Sequence, residues 1–269
     1  MSIQAELYRI LKSWKSRVFI LVIFLVPIWE LLILIKQIII PQWPIEWSER
    51  IRVLNHPAMA SFLSGASHGH TAQMLLIWLM PIYVLLIYGD SYIQEKSCGY
   101  TGIIYSQYSR KKIIRTKFAT SFLVFFGVFF MSMLLNFILA NLIFMGGGRL
   151  RGFEQSLAAG VLSPFEVWSV QNPVAAYLIS MVIYCVLAGC TGVMCCAVCY
   201  LFPSYKLAYP ICFFIWFIQI TMEPSIIYAL QPFTGNTVIK VIFPLLRFFV
   251  IGLIVVLISW WREVRCDKY

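Results

Sequence analysis

The chain has 269 residues, 61% of them hydrophobic and 12% charged, and a mean hydropathy of +0.84. Soluble domains carry roughly 45–50% apolar and about 25% charged residues, so a soluble fold is excluded. The long apolar runs have helical rather than alternating texture, which predicts an all-α integral membrane protein and argues against a barrel. The net charge of +10 fits basic residues held on the cytoplasmic side better than a nucleic-acid partner.

In chain order, Ser2–Lys15 sets Ile3, Leu7, Ile10, Leu11 and Trp14 at helical spacing, with Glu6, Arg9, Lys12 and Lys15 elsewhere on the wheel. That pattern predicts an interfacial helix over residues 1–17. A signal peptide is the competing reading, but no small-residue cleavage site follows the apolar run. The first span is predicted at about Val18–Ile40, kinked at Pro27. Residues 41–70 read as an interfacial loop with Trp43, Trp47, Pro44 and Pro57. His56, His68 and His70 lie in it, and a solvated loop explains them better than a metal, since no further ligand is fixed by spacing.

The second span, about Thr71–Gly89, leads into a polar stretch, DSYIQEKSCGYTGIIYSQYSRKKIIRTK over residues 90–117. Its tail crowds Arg110, Lys111, Lys112, Arg115 and Lys117 together. The third span, about Phe118–Met145, carries Asn136 and Asn141, which suit interhelical hydrogen bonds. Gly146, Gly147 and Gly148 end it; without the lysine, strand and helix start of a phosphate loop they do not predict nucleotide binding. A second outer loop over 149–172 is expected to hold a short helix near Pro164–Val170.

The fourth span, about Pro173–Phe202, contains Cys185, Cys190, Cys195, Cys196 and Cys199, scattered around the helix with no histidine or carboxylate nearby. With Ala188, Gly189, Gly192 and Ala197 they predict a small-residue packing face rather than a metal or disulfide site. Lys206 marks a short inner turn before the fifth span, about Leu207–Met222. Residues 223–240, broken by Pro224, Pro232 and Gly235 yet still apolar, predict a re-entrant helical pair packed against protein. The sixth span, about Pro244–Trp261, precedes a polar tail.

This layout places fourteen of the 21 basic residues on one side together with both termini. The other seven are Lys36, Arg50, Arg52, Arg149, Arg151, Lys240 and Arg247. The positive-inside rule therefore predicts a multi-pass plasma-membrane protein with cytoplasmic termini. Glu30 and Arg247 fall about 18 Å and about 21 Å from the inner interface; matched depth predicts that they face the interior and pair. Glu223 lies nearer the outer surface, where it guards a pathway mouth or caps the re-entrant segment. No catalytic constellation occurs at membrane depth, so an intramembrane enzyme is not expected.

With that orientation the polar stretch is cytoplasmic. Gln94, Glu95 and Lys96 are followed by Gly99, the apolar Ile103 and Ile104, then Tyr108, Ser109, Arg110 and, at the next span, Lys117. This resembles the type-2 permeases of ATP-binding-cassette (ABC) transporters, in which an acidic residue and a glycine precede an apolar turn, a Ser-Arg pair and a lysine. Where that family often has proline before Ser-Arg, this chain has Tyr108. The resemblance extends through the layout of nearly the whole chain, 1–269, as a single permease domain.

The resemblance implies a non-catalytic transmembrane subunit of an exporter. Its partners would be two separate ABC ATPase subunits, which hold the ATP and Mg, and a second permease copy or relative; membrane lipid surrounds it. Residues 90–117 would form a coupling helix, with Gln94, Glu95, Gly99, Ser109 and Arg110 meeting the ATPase and an exposed Glu95 pairing with it. Arg110 to Lys117 would hold the loop base against anionic headgroups. The cargo class implied is an amphipathic or hydrophobic one, such as a peptide or lipid-like drug, as in peptide export or antimicrobial-peptide self-protection. A basic loop lying on lipid with no partner, and an ion-gradient-driven secondary transporter using Glu30 and Glu223, are the alternatives.

Overall fold

The computed structural model describes residues 3–46, 48–64, 71–151, 153–160, 162–233 and 237–265. Helix α1 (Ile3–Lys12) is amphipathic: Glu6 and Ile10 face the protein while Leu7, Tyr8 and Leu11 are exposed. It ends at Ser13, whose extended backbone turns the chain and whose hydroxyl accepts the Ser16 N–H, the N-cap geometry that starts a new helix. Helix α2 (Trp14–Gln42) follows, closing in a π turn and then a 3-10 turn.

Helices α3 (Thr71–Trp78) and α4 (Met80–Gly89) occupy the predicted second span and meet at Leu79 with a bend of 56°. Short helices α5 (Ser91–Ser97) and α6 (Tyr100–Gln107) make up the polar stretch. Then come α7 (Arg110–Ile143), α8 (Pro164–Gln171), α9 (Pro173–Leu201), α10 (Tyr205–Thr221) and α11 (Val238–Arg265). Four of these, α2, α7, α9 and α11, are each long and apolar enough to cross a membrane, and the bent α3–α4 pair, counted as one span, would be a fifth. Helix α10 has 17 residues, about 26 Å at 1.5 Å per residue, just short of a hydrocarbon core of about 30 Å.

Helix α9 is the centre of the bundle, with α7, α10 and α11 packed around it. The small residues on α9 explain the close approach of α7. A methyl group on Gly189 would come within 2.8 Å of Phe122, and one on Gly192 would collide with Phe125. Cys185, Cys195, Cys196 and Cys199 are buried, as is Cys212 on α10, and all five are free thiols. They fill the core as small apolar side chains, and the described residues hold no group of three ligand-type side chains that would hold a metal. Aromatic pairs extend the same seam, with Phe129 edge-on to Tyr184 and Phe137 stacked on Tyr177.

Prolines lie within α2, α4, α10 and α11, and at two of them, Pro27 and Pro81, a neighbouring helix repairs the damage. Pro27 has no N–H for the Ile23 carbonyl, and the Ser132 hydroxyl on α7 donates to that carbonyl at 2.8 Å. Pro81 likewise deprives Ile77, whose carbonyl accepts the Trp216 indole N–H from α10 at 2.8 Å. An unsatisfied carbonyl in hydrocarbon costs several kcal/mol, so these bonds are what makes the prolines tolerable. Asn136 completes the first repair, its amide donating to the Pro27 carbonyl at 2.9 Å and accepting the Phe62 N–H at 2.9 Å. Asn141 differs from expectation: it bonds the Phe137 carbonyl of its own helix.

The end of the bundle opposite α1 is closed by its connections. Residues expected to form a solvated loop turn inward, burying Leu54, Ala58, Met59, Phe62 and Leu63. Gly147 approaches the Asn55 carbonyl so closely that a Cβ there has no room, and Asn55 and Arg149 form an isolated parallel bridge. The glycine triplet therefore serves close backbone packing as well as helix termination. His56 uses Nδ1 to accept the Ala58 N–H; His68 and His70 lie outside the described residues. Helix α8 begins with a capping box between Ser163 and Glu166, near the predicted position. Between α10 and α11, the expected helical pair is instead a single turn, Ile227–Leu230. Val238–Lys240 belong to the first turn of α11, and Gly235 lies outside the described residues.

Candidate functional site

The polar stretch between α4 and α7 is anchored in three places, and the anchors are made of buried charge. In the first, Lys117 of α7 is fully buried and lies 2.6 Å from Glu95 Oε1, 4.0 Å from Glu6 Oε1 and 3.3 Å from the Ser91 hydroxyl. Arg9 of α1 pairs with the same Glu95 oxygen and with Glu6 at 3.2 Å, and the Tyr88 hydroxyl donates to Glu6. Two acids and two bases thus close a neutral cluster joining α1, α5 and α7. Burial works against the Arg9 charge, but Glu6 and Glu95 outweigh it and hold the guanidinium above its ordinary value.

In the second anchor, Asp90 is buried and accepts from Lys15 at 2.8 Å, from the Tyr209 hydroxyl of α10 at 2.8 Å and from Gln94 at 2.8 Å. This ties the start of α5 to α2 and α10. The third gathers Tyr92 of α5, Tyr105 and Arg110 around Glu263 near the end of α11. Tyr92 stacks on Tyr200 of α9 with ring centroids 3.9 Å apart, and its hydroxyl acts electrostatically on that of Tyr105. The Arg110 guanidinium covers the Tyr105 ring at 4.8 Å. Burial, Tyr92 and Glu263 together push the Tyr105 phenol well above its ordinary range, keeping it a donor. Arg262 binds the Leu201 carbonyl at 2.6 Å, fixing α11 to the end of α9.

The sequence-predicted residues therefore separate into different jobs. Contrary to the expectation of an exposed Glu95 meeting a partner, it is buried at the centre of the first anchor, where Arg9 and Lys117 neutralise it. Lys117, expected at the headgroups, is likewise buried. Gln94 is exposed and holds Asp90. Gly99 separates α5 from α6 at φ 71°, a left-handed conformation that favours glycine. Ser109 occupies the N-cap position of α7 with extended backbone. What the stretch presents outward is α6, with Tyr100 50% and Ile103 55% exposed, next to exposed Lys111, Lys112 and Arg115.

The Glu30–Arg247 pair predicted from depth is not formed. Arg247 donates to the Gln219 side chain at 2.7 Å and to the Gln219 and Pro224 carbonyls at 3.1 and 3.2 Å. Its charge thus closes off the end of α10, where carbonyls lack helical partners. Glu30 is buried and acts instead on Arg151, which donates to the Ser64 carbonyl at 2.8 Å. Burial lowers the Arg151 value and Glu30 opposes that. Glu223 is exposed and accepts from Tyr228 at 3.3 Å. Sequence reasoning missed Glu6, Asp90 and Glu263 as site residues; an acidic residue within an otherwise apolar or basic segment is the signal that marks each.

Fold and site together define a helical membrane-spanning protein whose long polar connection is locked to six bundle elements by buried ion pairs and stacked tyrosines. The chain is 32% identical over 231 residues, 86% of each chain, to "Uncharacterized protein YybM" of Bacillus subtilis (strain 168). It belongs to the same family as that protein. No protein-family model matches the sequence, and no solved structure matches it.

Proposed function

We propose that the chain is the transmembrane permease subunit of an ATP-driven ABC exporter, with six spans, α10 being the fifth, and both termini in the cytoplasm. It moves an amphipathic or hydrophobic cargo outward across the plasma membrane and works with two separate ATPase subunits and a second permease. The observation that carries this reading is the mechanical arrangement of α6. Its outer side exposes Tyr100 and Ile103, while α5 and the flanking residues are rooted in α1, α2, α7, α9, α10 and α11.

A displacement of α6 is therefore delivered to the bundle as a rigid-body movement, which is what coupling to a motor requires. Neutral clusters suit that task because they resist being pulled apart: separating a buried pair costs about 3–5 kcal/mol. The docking chemistry follows from what is exposed. An apolar centre at Tyr100 and Ile103 supplies contact area, and the basic flank of α7 sets orientation and encounter rate. Glu95 contributes indirectly, by holding α5.

The test is copurification of the tagged chain with an ABC ATPase, followed by ATP-dependent transport in proteoliposomes. Ile103→Glu, at an exposed position, should abolish copurification while leaving the purified permease folded. Transport by the chain alone under an ion gradient, with no ATPase bound, would replace this reading with a secondary transporter.

A further inference from the structure

A cavity of about 400 Å³ lies between the α1–α2 elbow and α5, lined by Arg9, Ser13, Lys15, Asp90, Glu95 and Cys98. A water molecule in the liquid takes about 30 Å³, so this space exceeds what isolated structural waters fill. Its charges are arranged by depth. The Arg9 and Lys15 side chains are 39% and 38% exposed, whereas those of Glu95 and Asp90 are 5% and 1% exposed. Cations therefore stand at the opening and carboxylates at the floor. Ile10 and Leu86 add an apolar wall.

The setting points to a membrane interface. Leu7 and Leu11 of α1 and Trp14 of α2 are exposed next to the elbow, and tryptophan beside basic residues marks the headgroup level. The opening thus lies where phospholipid headgroups are. An anion with no positive group would gain the two cations but face Asp90 and Glu95 across the floor. A bare cation would meet Arg9 and Lys15 first. A ligand carrying a phosphate and a primary ammonium a few ångströms further in satisfies both layers, the phosphate on Arg9 and Lys15 and the ammonium on Asp90.

We propose that this cavity binds the headgroup of an amine-bearing phospholipid from the leaflet in which α1 lies, its phosphate at Arg9 and Lys15 and its ammonium at Asp90. Binding leaves the neutral clusters neutral, because the ligand brings one charge of each sign. The acyl chains leave along Ile10 and Leu86 into the bilayer. The site makes no use of the transported cargo, and Tyr100 on the exposed side of α6 also lines it.

The test uses the full chain in nanodiscs of phosphatidylcholine doped with either phosphatidylethanolamine or phosphatidylglycerol, with bound lipids counted by native mass spectrometry. The expected result is about tenfold enrichment of phosphatidylethanolamine over both other lipids, the worth of one charge-assisted hydrogen bond. Cys98→Trp, which fills the cavity from an exposed position, should reduce the enrichment to within about twofold, and Asp90→Asn should reduce it without altering phosphatidylcholine retention. If Asp90→Asn does not fold, Cys98→Trp decides alone. Equal enrichment of phosphatidylglycerol, or enrichment unchanged in Cys98→Trp, overturns the proposal. Displacement of the lipid by free phosphoethanolamine at equal concentration overturns the lipid assignment in favour of a soluble ligand.

Discussion

Replacing Lys117 by glutamine is the sharpest probe of the anchored connection. The ammonium is fully buried, 2.6 Å from Glu95 and 4.0 Å from Glu6. At an effective dielectric of about 20 these separations correspond to gross attractions of about 6 and about 4 kcal/mol. Desolvation offsets most of that, but deleting one partner leaves the other buried and unmatched, a loss of about 3–5 kcal/mol. In Lys117→Gln the cluster holds Glu6 and Glu95 against Arg9 alone, one negative charge in excess. Adding Glu95→Gln restores neutrality, with Glu6 and Arg9 still paired. The double variant should therefore be more stable than Lys117→Gln by about 1–3 kcal/mol, a sign reversal that additive effects do not produce. Denaturant titrations in mild detergent, followed by the fluorescence of the 9 tryptophans, measure both quantities. Lys117→Gln within about 1 kcal/mol of the parent, or a double variant no better than the sum of its parts, would refute the argument.

Other expectations follow from the packing. Ser132→Ala should cost about 1–3 kcal/mol in the native protein but much less when Pro27→Ala is also present, because the alanine N–H then serves Ile23; a denaturant-based double-mutant cycle reads the difference. Gly192→Ala should lose about 1–3 kcal/mol through its collision with Phe125, and Phe125→Leu should recover part of it in the same titration. Gly99→Ala meets no neighbour within 4 Å, so its cost is the left-handed backbone alone, about 1 kcal/mol. Limited proteolysis should show the effect at the α5–α6 junction while overall unfolding barely moves.

Much of the bundle was legible because membrane helices advertise themselves by length and apolar content. The amphipathic face of α1 and the small-residue side of α9 follow from spacing on one helix. The anchors were not legible for the opposite reason. Arg9 and Glu95 are 86 positions apart and Asp90 and Tyr209 are 119 apart, and nothing local distinguishes a carboxylate that will find a buried partner from one that stays in water. Glu95 sits in a polar run and so reads as solvated. Depth along two helices brought Glu30 and Arg247 to the same level, yet level says nothing about azimuth, and Arg151 from a connecting loop reached Glu30 instead. The bend at Leu79 went unread, and Pro81 just beyond it leaves the Ile77 carbonyl needing a donor that periodicity on one helix cannot supply.

The repairs at Pro27 and Pro81 bear on how the chain is made. Ribosomal synthesis delivers α2 and the α3–α4 pair to the bilayer long before α7 and α10 exist, so Ile23 waits for Ser132 and Ile77 for Trp216. Until those later helices emerge, each early one carries a polar defect facing lipid or whatever insertion machinery shelters it. Chains halted before residue 132 or residue 216 are thus expected to be the forms that membrane quality-control proteases recognise.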